Sequence, residues 1–203
     1  SVNIAPVTKG TATVVADGAE LFGYASGTST VFNVTFGGKD HLRVLVPNQA
    51  QVQGKTGSVA GRNTTAVSTQ TAGTAFIVTV YGVDARENTI DTDTTLVTLI
   101  HNDGYAAAPG SKALVNGATT FSVTLVTVST GEALSASVTG GYTPGGSDPV
   151  PVIYAGADHF QILVPGENHV DGSPTGKSGT PSARTAGTPF QARLYGLDVK
   201  NNV

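Results

Sequence analysis

The clearest pattern along the chain is an alternation of apolar and outward-facing positions in short runs. In the run His41–Val46, the candidate inward residues are Leu42, Val44 and Val46. Period-two alternation is typical of a half-buried β-strand, because successive side chains point to opposite faces of a sheet. The pattern predicts a strand that ends at Pro47, since proline has no N–H to donate to a neighbouring strand.

This pattern returns because the sequence contains an internal repeat. The phrase DHLRVLVP at Asp40–Pro47 returns as DHFQILVP at Asp158–Pro165, 118 residues later. The phrase TAGTAFIVTVYGVD at Thr71–Asp84 returns as TAGTPFQARLYGLD at Thr185–Asp198. A fixed period of this kind indicates structural units in tandem. In the second copy of the first strand, the candidate inward residues are Phe160, Ile162 and Val164.

The two copies of the second phrase predict the orientation of another strand. Positions that are apolar in both copies should face inward, and positions that become polar in the second copy should face outward. The predicted inward residues are Phe76, Val78 and Val80, with Phe190, Ala192 and Leu194 in the second copy. The predicted outward residues are Ile77 and Thr79, with Gln191 and Arg193 in the second copy. If the repeat is structural, the segments around Phe76 and Phe190 should lie in like surroundings.

The other alternating runs predict further strands between turns rich in Gly, Asn and Asp. These strands are Thr11–Val15, Leu21–Ala25, Thr30–Phe36, Thr94–Ile100, Thr119–Val126, Ala133–Val138 and Pro149–Ala155. The polar, glycine-rich stretch Asn48–Gln70 predicts a long loop. No segment has a helical pattern. With about seven strands between residues 40 and 156, the predicted fold class is an all-β sandwich.

The repeat also predicts how the chain divides. Thr30–Phe36 precedes the first DH phrase in the way that Pro149–Ala155 precedes the second. Residues 1–39 are therefore expected to be the C-terminal strands of one repeat, residues 40–156 a complete domain, and residues 157–203 the N-terminal strands of a third. Each partial unit would leave an open sheet edge, which is a template for pairing with another chain.

Composition narrows the classes of function. Charged residues make up 12% of the chain and the net charge is −3, so no basic surface is expected for nucleic acid or anionic membranes. No apolar run is long enough to span a bilayer, and no signal-peptide pattern is present. Cys, Met and Trp are absent. Without an initiator Met, the chain is expected to be a processed product or a segment of a longer one, and its composition suits an extracellular or cell-surface location.

On these residues, the chain resembles the tandem bacterial immunoglobulin-like repeats of large surface proteins, of the invasin or adhesin type. The resemblance is carried by Thr71–Asn88 followed by Asn116–Leu125, and by Thr185–Asn202. It implies an immunoglobulin-like β-sandwich in tandem copies, one complete and two partial. The sequence departs from the pattern at Gly82 and Gly196, where Ala is usual.

The richest cluster of candidate ligands follows the second repeated strand. Asp84, Asn88, Asp91 and Asp93 could bind calcium, which takes carboxylate, amide and carbonyl oxygens. Their spacing does not match an EF-hand loop. Asp and Asn also make turns through their own backbone hydrogen bonds, and this use is the favoured one. No other metal or cofactor is indicated.

Two further motifs have structural explanations. Gly54–Thr56 and Gly176–Ser178 contain Gly-Lys-Thr and Gly-Lys-Ser, but neither has the upstream glycine and following helix of a phosphate-binding loop. His41 and His159 recur with the repeat and lack convergent catalytic partners. No nucleophile, base and acid form a recognisable set, so the chain is not expected to be an enzyme.

These observations favour a structural protein, a repeat unit of an extracellular fibre, surface layer or adhesin stalk. Its expected partners are copies of itself or neighbouring repeats, and the partial ends suggest head-to-tail polymerisation by strand complementation. The alternative is a carbohydrate-binding or spacer module of a secreted polysaccharide-degrading enzyme. That alternative needs a row of exposed aromatics to bind a glycan. The candidates are Tyr24, Tyr81, Tyr105, Tyr142, Tyr154 and Tyr195.

Overall fold

A computed structural model describes residues 3–16 and 25–203, and these residues form β-strands joined by turns and loops, without a helix. The all-β prediction is confirmed. Within the described ranges, no helix reaches the length and hydrophobicity that crossing a bilayer requires. The predicted strand Leu21–Ala25 falls largely outside the described residues, as does Tyr24.

Residues 3–39, the N-terminal segment, form two small antiparallel sheets in their described part. The strands are β1 (Gly10–Ala12), β2 (Val15–Ala16), β3 (Gly27–Thr28) and β4 (Phe32–Val34). Strand β1 pairs with β4, and β2 pairs with β3. Residues 3–7 are exposed and belong to no strand.

Residues 40–156, the central unit, form ten strands in three sheets. The strands are β5 (His41–Leu45), β6 (Gln70–Thr71), β7 (Ala75–Val83), β8 (Leu96–His101), β9 (Gly110–Ala113), β10 (Ala118–Thr124), β11 (Ser129–Glu132), β12 (Leu134–Ser137), β13 (Gly145–Gly146) and β14 (Val150–Ile153). The sheet orders are β10-β7-β5, β13-β12-β8-β9 and β11-β14-β6. Neighbouring strands are antiparallel except β14 and β6, which are parallel.

The three sheets share one hydrophobic core, as in a β-sandwich. Strands β5, β7 and β10 contribute one side, and β8, β12 and β14 contribute residues such as Leu99, Leu134 and Val152. The predicted inward residues of the first copy are confirmed as buried: Leu42, Val44, Val46, Phe76, Val78 and Val80. The outward assignment of Ile77 is also confirmed, because that side chain is exposed.

The two-residue strand β6 has no counterpart among the predicted strands, and neither do β9, β11 and β13, whose sequences explain why. Their sequences are GSKA, STGE and GG, and none alternates between apolar and polar residues. Backbone pairing to a neighbour forms them, since β9 pairs with β8, β11 with β14, and β13 with β12. A strand that buries few side chains leaves little trace in a hydrophobic pattern.

Residues 157–203, the C-terminal segment, repeat the first strand pair of the central unit in the same register. The strands are β15 (Ala157–Leu163), β16 (Glu167–His169), β17 (Lys177–Gly179) and β18 (Arg193–Asp198). Strand β15 pairs with β18 as β5 pairs with β7. The opposed residues are Leu42 with Gly82 and Val44 with Val80 in the central unit, and Phe160 with Gly196 and Ile162 with Leu194 in the C-terminal segment.

The predicted burial of the second copy is wrong at five of its six positions, and the sixth, Val164, is partly buried. Phe160, Ile162, Phe190 and Leu194, hereafter the open face, are 77%, 62%, 53% and 63% exposed, and Ala192 is exposed as well. The expectation of like surroundings around Phe76 and Phe190 is therefore wrong: the repeat is kept in the register of the strand pair and in the turn that follows it, but not in burial. The reason is that the described residues place no second sheet over the open face, although the Arg184 guanidinium lies over the Phe190 ring, 5.8 Å from its centroid.

Candidate functional site: the repeated junction

The turn that follows β7 is built around one carboxylate. Asp84 accepts hydrogen bonds from the backbone N–H groups of Arg86 and Asn88, both at 2.8 Å, and from the Asn88 side-chain amide. The Asp84 N–H donates to the Asn88 carbonyl at 3.0 Å, closing the turn. Glu87 takes a left-handed conformation with φ of 65°. Asp84 and Asn88 are each 3% exposed, so the turn is a buried, fully hydrogen-bonded unit.

The turn that follows β18 has the same construction. Asp198 accepts from the N–H groups of Lys200 and Asn202, both at 2.8 Å, and its own N–H donates to the Asn202 carbonyl at 3.0 Å. Asn201, at the position of Glu87, is left-handed with φ of 63°. Asp198 and Asn202 are 2% and 1% exposed. The repeated phrase therefore specifies a local structure, down to its one unusual backbone angle.

The first turn holds the N-terminal segment against the central unit, a contact that we name the proximal junction. The Asp84 carboxylate accepts the N–H of Gly37 at 2.7 Å. The Asn88 side chain donates to the Val7 carbonyl at 2.9 Å and accepts the Lys9 N–H at 3.0 Å. One amide side chain thereby satisfies both a carbonyl and an N–H of the adjacent backbone, as a neighbouring strand would.

The second turn makes the same contacts between the C-terminal segment and the central unit, at the distal junction. The Asp198 carboxylate accepts the N–H of Ala155 at 2.9 Å. The Asn202 side chain donates to the Val126 carbonyl at 2.9 Å and accepts the Val128 N–H at 3.1 Å. Two junctions in one chain thus share the same residues, partners and hydrogen-bond lengths to within about 0.2 Å, which is below ordinary variation in such bonds.

Asp103 supports the distal junction from within the central unit. Its carboxylate accepts the N–H of Val126 at 2.7 Å, and the N–H and hydroxyl of Thr127 at 3.0 and 2.8 Å. Burial alone would raise the pKa of Asp103, but these donors outweigh it and hold that pKa below its usual value. Asp103 therefore fixes the backbone that Asn202 binds.

The junction carboxylates are ionised for the same physical reason. Burial would raise the pKa of Asp84, but the N–H groups of Gly37, Asn88 and Arg86 outweigh it and lower the pKa. At Asp198 burial is again outweighed, by hydrogen bonds from Asn202, Ala155 and Lys200, and the pKa is lowered. Hydrogen bonds donated to a carboxylate favour its charged form. Both junctions therefore depend on a negative charge surrounded by backbone donors.

The structure gives the four predicted calcium ligands separate hydrogen-bonding roles. Asp84 and Asn88 belong to the proximal junction, and Asp91 accepts from the Lys9 ammonium at 2.7 Å. Asp93 accepts from the Lys39 ammonium at 2.6 Å and from the Tyr142 hydroxyl at 2.6 Å. Among the described residues, no group of three or more His, Cys, Asp or Glu side chains is arranged to hold a metal ion. Calcium binding stays a prediction without an assembled ligand set.

Of the other candidates from the sequence, His41 contacts the proximal turn, since its Nε2 lies 3.1 Å from Oε1 of Glu87. Lys55 donates to the Arg62 carbonyl, and Lys177 donates to Glu167. His41 and His159 each contact the preceding aspartate at 2.9 Å. Of the described tyrosines, Tyr105 and Tyr154 are exposed, Tyr142 is buried, and Tyr81 and Tyr195 are partly buried.

The junctions contain residues that sequence reasoning did not select. The sequence indicates Asp84 and Asn88 as turn residues or ligands, but it does not indicate their partners Val7, Lys9 and Gly37. These partners contribute backbone groups, which every residue type possesses. The signal that could have found the site is the recurrence of Asp-x-x-x-Asn after both copies of the strand.

Comparison with known proteins adds no assignment. The chain matches no protein-family model, and comparison with curated proteins and with solved structures gives no significant match. Function has to be inferred from the contacts of the molecule itself.

Proposed function

We propose that this chain is a structural repeat unit of an extracellular fibre, surface layer or adhesin stalk. In this proposal, immunoglobulin-like β-sandwich units follow one another head to tail, with residues 40–156 as a complete unit and residues 1–39 and 157–203 as parts of its neighbours. The partners are other repeats of the same kind, in the same chain or in further copies. The role is mechanical: each unit keeps its neighbours at a fixed distance and orientation.

The observation that supports this proposal is the recurrence of the junction. A stalk or fibre needs each unit to meet the next in the same way, because a small change of orientation at every step would otherwise accumulate. Asn88 and Asn202 hold equivalent backbone groups on both sides of the central unit with matching distances. A junction that is built twice from one repeated phrase provides such a regular step.

The chemistry of the junction suits a tandem array. Asn88 and Asn202 bind backbone carbonyl and N–H groups, so the neighbouring unit can vary in side chains without losing the contact. The Asn88 and Asn202 side chains are buried and their backbone partners are partly buried, and a buried donor or acceptor left without its partner costs about 1–3 kcal/mol. Each junction therefore resists bending although it contains few side chains.

Electron microscopy of the native material, together with the intact mass of the chain, tests the role. The expected result is an unbranched fibre, a stalk or a surface lattice with an axial repeat of the size of one domain. A freely diffusing particle without such a repeat would contradict the proposal, as would glycan binding that depends on Tyr105 or Tyr154.

The junction itself is tested by hydrogen exchange in dilute solution with three matched variants. Asn88→Ala should speed exchange of the Lys9 amide by about tenfold or more, because a lost buried bond is worth roughly 1.4 kcal/mol or above. Asn202→Ala should do the same for the Val128 amide and leave Lys9 unchanged. Asn102→Ala, at an exposed side chain, is the control. Equal exchange in all three variants would remove the junction as the basis of the proposal.

A further inference from the structure

The C-terminal segment has an unpaired sheet edge beside its open face. Among the described strands, β18 pairs with β15 alone. Residues 189–192, just before β18, are exposed and form no strand. Unpaired backbone N–H and C=O groups next to exposed apolar side chains are the features to which an added strand binds.

The central unit shows which strand covers the equivalent edge. There, β7 lies between β5 and β10, and β10 pairs with residues 75–81 of β7. Phe121 lies opposite Val78, and Val123 lies opposite Phe76. Phe76 is only 7% exposed in this setting, whereas its counterpart Phe190 is 53% exposed. The edge beside Phe190 therefore needs a strand like β10.

Residues 3–5, at the other end of the described chain, fall at the positions of the last three residues of β10. The two junctions align Val7 with Val126 and Lys9 with Val128, because Asn88 and Asn202 bind them in the same way. When this alignment is extended three residues toward the N-terminus, Ile4 takes the position of Val123. Ile4 is 56% exposed, and residues 3–7 pair with no strand. An unpaired apolar segment is thus equivalent to the strand that the open edge needs.

We propose that residues 3–6 of a second copy of this chain add to the open edge of β18 as an antiparallel strand. The register follows from β10 and β7, so that Ile4 lies opposite Phe190 and Asn3 lies opposite Gln191. This inference rests on the proposed function and names the partner surface of its repeat. Pro189 fits, because it occupies the first position of the strand, where proline is tolerated.

The same second copy also brings an apolar surface to the open face. Phe32 and Val34 on β4 are the counterparts of Val150 and Val152, since β1 pairs with β4 as β11 pairs with β14. Val150 and Val152 are buried in the central core, whereas Phe32 is 38% exposed. The open face of one copy and the β4 face of the second copy would therefore cover each other, as the equivalent faces do in the central unit.

The resulting contact is heterologous and does not close. One end of each copy receives the strand and the other end donates it, so successive copies form an open chain. The contact is formed by a short strand and by small sheets of two strands each, so the association is expected to be reversible and concentration-dependent.

Two aspartate variants of the donor segment test the register. Ile4→Asp places a charge on the face that packs against Phe190, whereas Asn3→Asp places the same charge one residue away on the outward face. Sedimentation of the unmodified chain should show concentration-dependent self-association. Ile4→Asp should weaken it by about tenfold or more, and Asn3→Asp by less than about threefold. A strictly monomeric chain, or equal effects of both variants, would overturn the inference.

Cysteine pairing provides a second test, since the chain has no cysteine of its own. A copy with Ile4→Cys is mixed with a mass-tagged copy with Phe190→Cys under mild oxidation, and the yield of the mixed disulfide dimer is measured. The control pair is Ile4→Cys with Gln191→Cys, whose side chains should point to opposite faces. The first pair should give at least about fivefold more dimer, because a disulfide needs Cβ atoms within about 4.5 Å. Equal yields would overturn the inference.

The outcomes separate this inference from the proposed function. Residues 3–6 are exposed and unpaired, so Ile4→Asp should leave the unfolding transition of the central unit unchanged. The exchange experiment on Lys9 and Val128 is made at low concentration, where copies are apart. A protein with intact junctions and no self-association would refute the strand addition alone. A protein that self-associates but shows no junction effect would refute the junction proposal alone.

Discussion

The sheet of β5 and β7 and the sheet of β15 and β18 share a register, but one buries its apolar face and the other exposes it. Val44 is 2% exposed and its counterpart Ile162 is 62% exposed. The sequence phrases that encode both pairs are identical at 13 of 22 positions, 5 of 8 in the first phrase and 8 of 14 in the second. The repeated phrases therefore determine how the two strands of each pair are aligned. Whether the apolar face is buried depends on other strands, such as β10, that lie elsewhere in the sequence.

The comparison extends to the strand itself. Strand β7 begins at Ala75, but β18 begins at Arg193, four residues later than the repeat would place it. Residues 75–78 of β7 pair with β10 and not with β5. The matching residues 189–192 have no described partner strand, so their backbone groups remain in water and no strand forms. The alternating pattern predicts which face of a sheet each side chain occupies. Whether the residues form a strand depends on a neighbouring strand that accepts and donates their backbone hydrogen bonds.

The largest expected difference between the two sheets concerns Phe76 and Phe190. Phe76→Ala should lower the free energy of unfolding of the central unit by about 3–5 kcal/mol, because it leaves a cavity in a packed core. Phe190→Ala should change it by less than about 0.5 kcal/mol, as expected for an exposed position. Urea unfolding followed by circular dichroism, at low protein concentration, measures both.

The concentration of the protein is the control for this pair. At concentrations where copies associate, Phe190→Ala should weaken the self-association, while the unfolding transition of the central unit stays the same. A large loss of stability from Phe190→Ala in dilute solution would mean that the open face is covered within a single chain. The two sheets would then not differ as described.

A smaller difference is expected between Gly82 and Gly196, which occupy equivalent places. A Cβ at Gly82 would lie 2.7 Å from Cζ of Tyr142, whose hydroxyl donates to Asp93 at 2.6 Å. Gly82→Ala should therefore destabilise the central unit by about 1–3 kcal/mol through overpacking. A Cβ at Gly196 would meet Phe160 at 3.8 Å, an ordinary contact, so Gly196→Ala should be neutral or stabilising by up to about 1 kcal/mol.

Hydrogen exchange separates the outcomes of this second pair. Gly82→Ala should speed exchange across β5, β7 and β10, whereas Gly196→Ala should leave those strands unchanged and slow exchange in β18. If Gly82→Ala were neutral, the Tyr142 ring could move without cost, and its hydrogen bond to Asp93 would not stabilise the core.

Much of the fold could be predicted from the sequence, because the central strands carry side chains that alternate between core and surface. Val97 and Leu99 are fully buried on β8, and Phe121 and Val123 are buried on β10, as the period of two requires. Strand β13 could not be predicted, since its two glycines have no side chains. The exposure of the open face could not be predicted either, because the alternation at Phe160 and Ile162 does not show which strand covers these side chains.

The candidate site could be predicted only in part, because its side chains recur with the repeat but their partners are backbone groups. Asp84 and Asn88 attract notice as polar residues that recur with the repeat, and their use in a turn follows from ordinary Asx chemistry. The Asn88 contacts with Val7 and Lys9 could not be foreseen, since they join side-chain atoms to backbone groups about 80 residues away, as the separations of 81 and 79 show. A side chain that binds backbone selects no partner residue type, so the partner sequence carries no signal.

The smallest expected effect is the pH dependence of the two junctions, which are alike in having an ionised carboxylate. Because the pKa values of Asp84 and Asp198 are lowered in the folded protein, their stabilisation is fully present above the unfolded value near pH 4. It should be lost as the pH falls below that value and through the lowered folded pKa values. Exchange at Gly37 and Ala155, corrected for intrinsic rates, should therefore rise at both junctions over the same acid range.

Asp84→Asn should weaken the proximal junction at every pH and abolish its acid response, while Ala155 keeps the response of the unmodified protein. An acid response at Gly37 that survives Asp84→Asn would show that another group controls the junction.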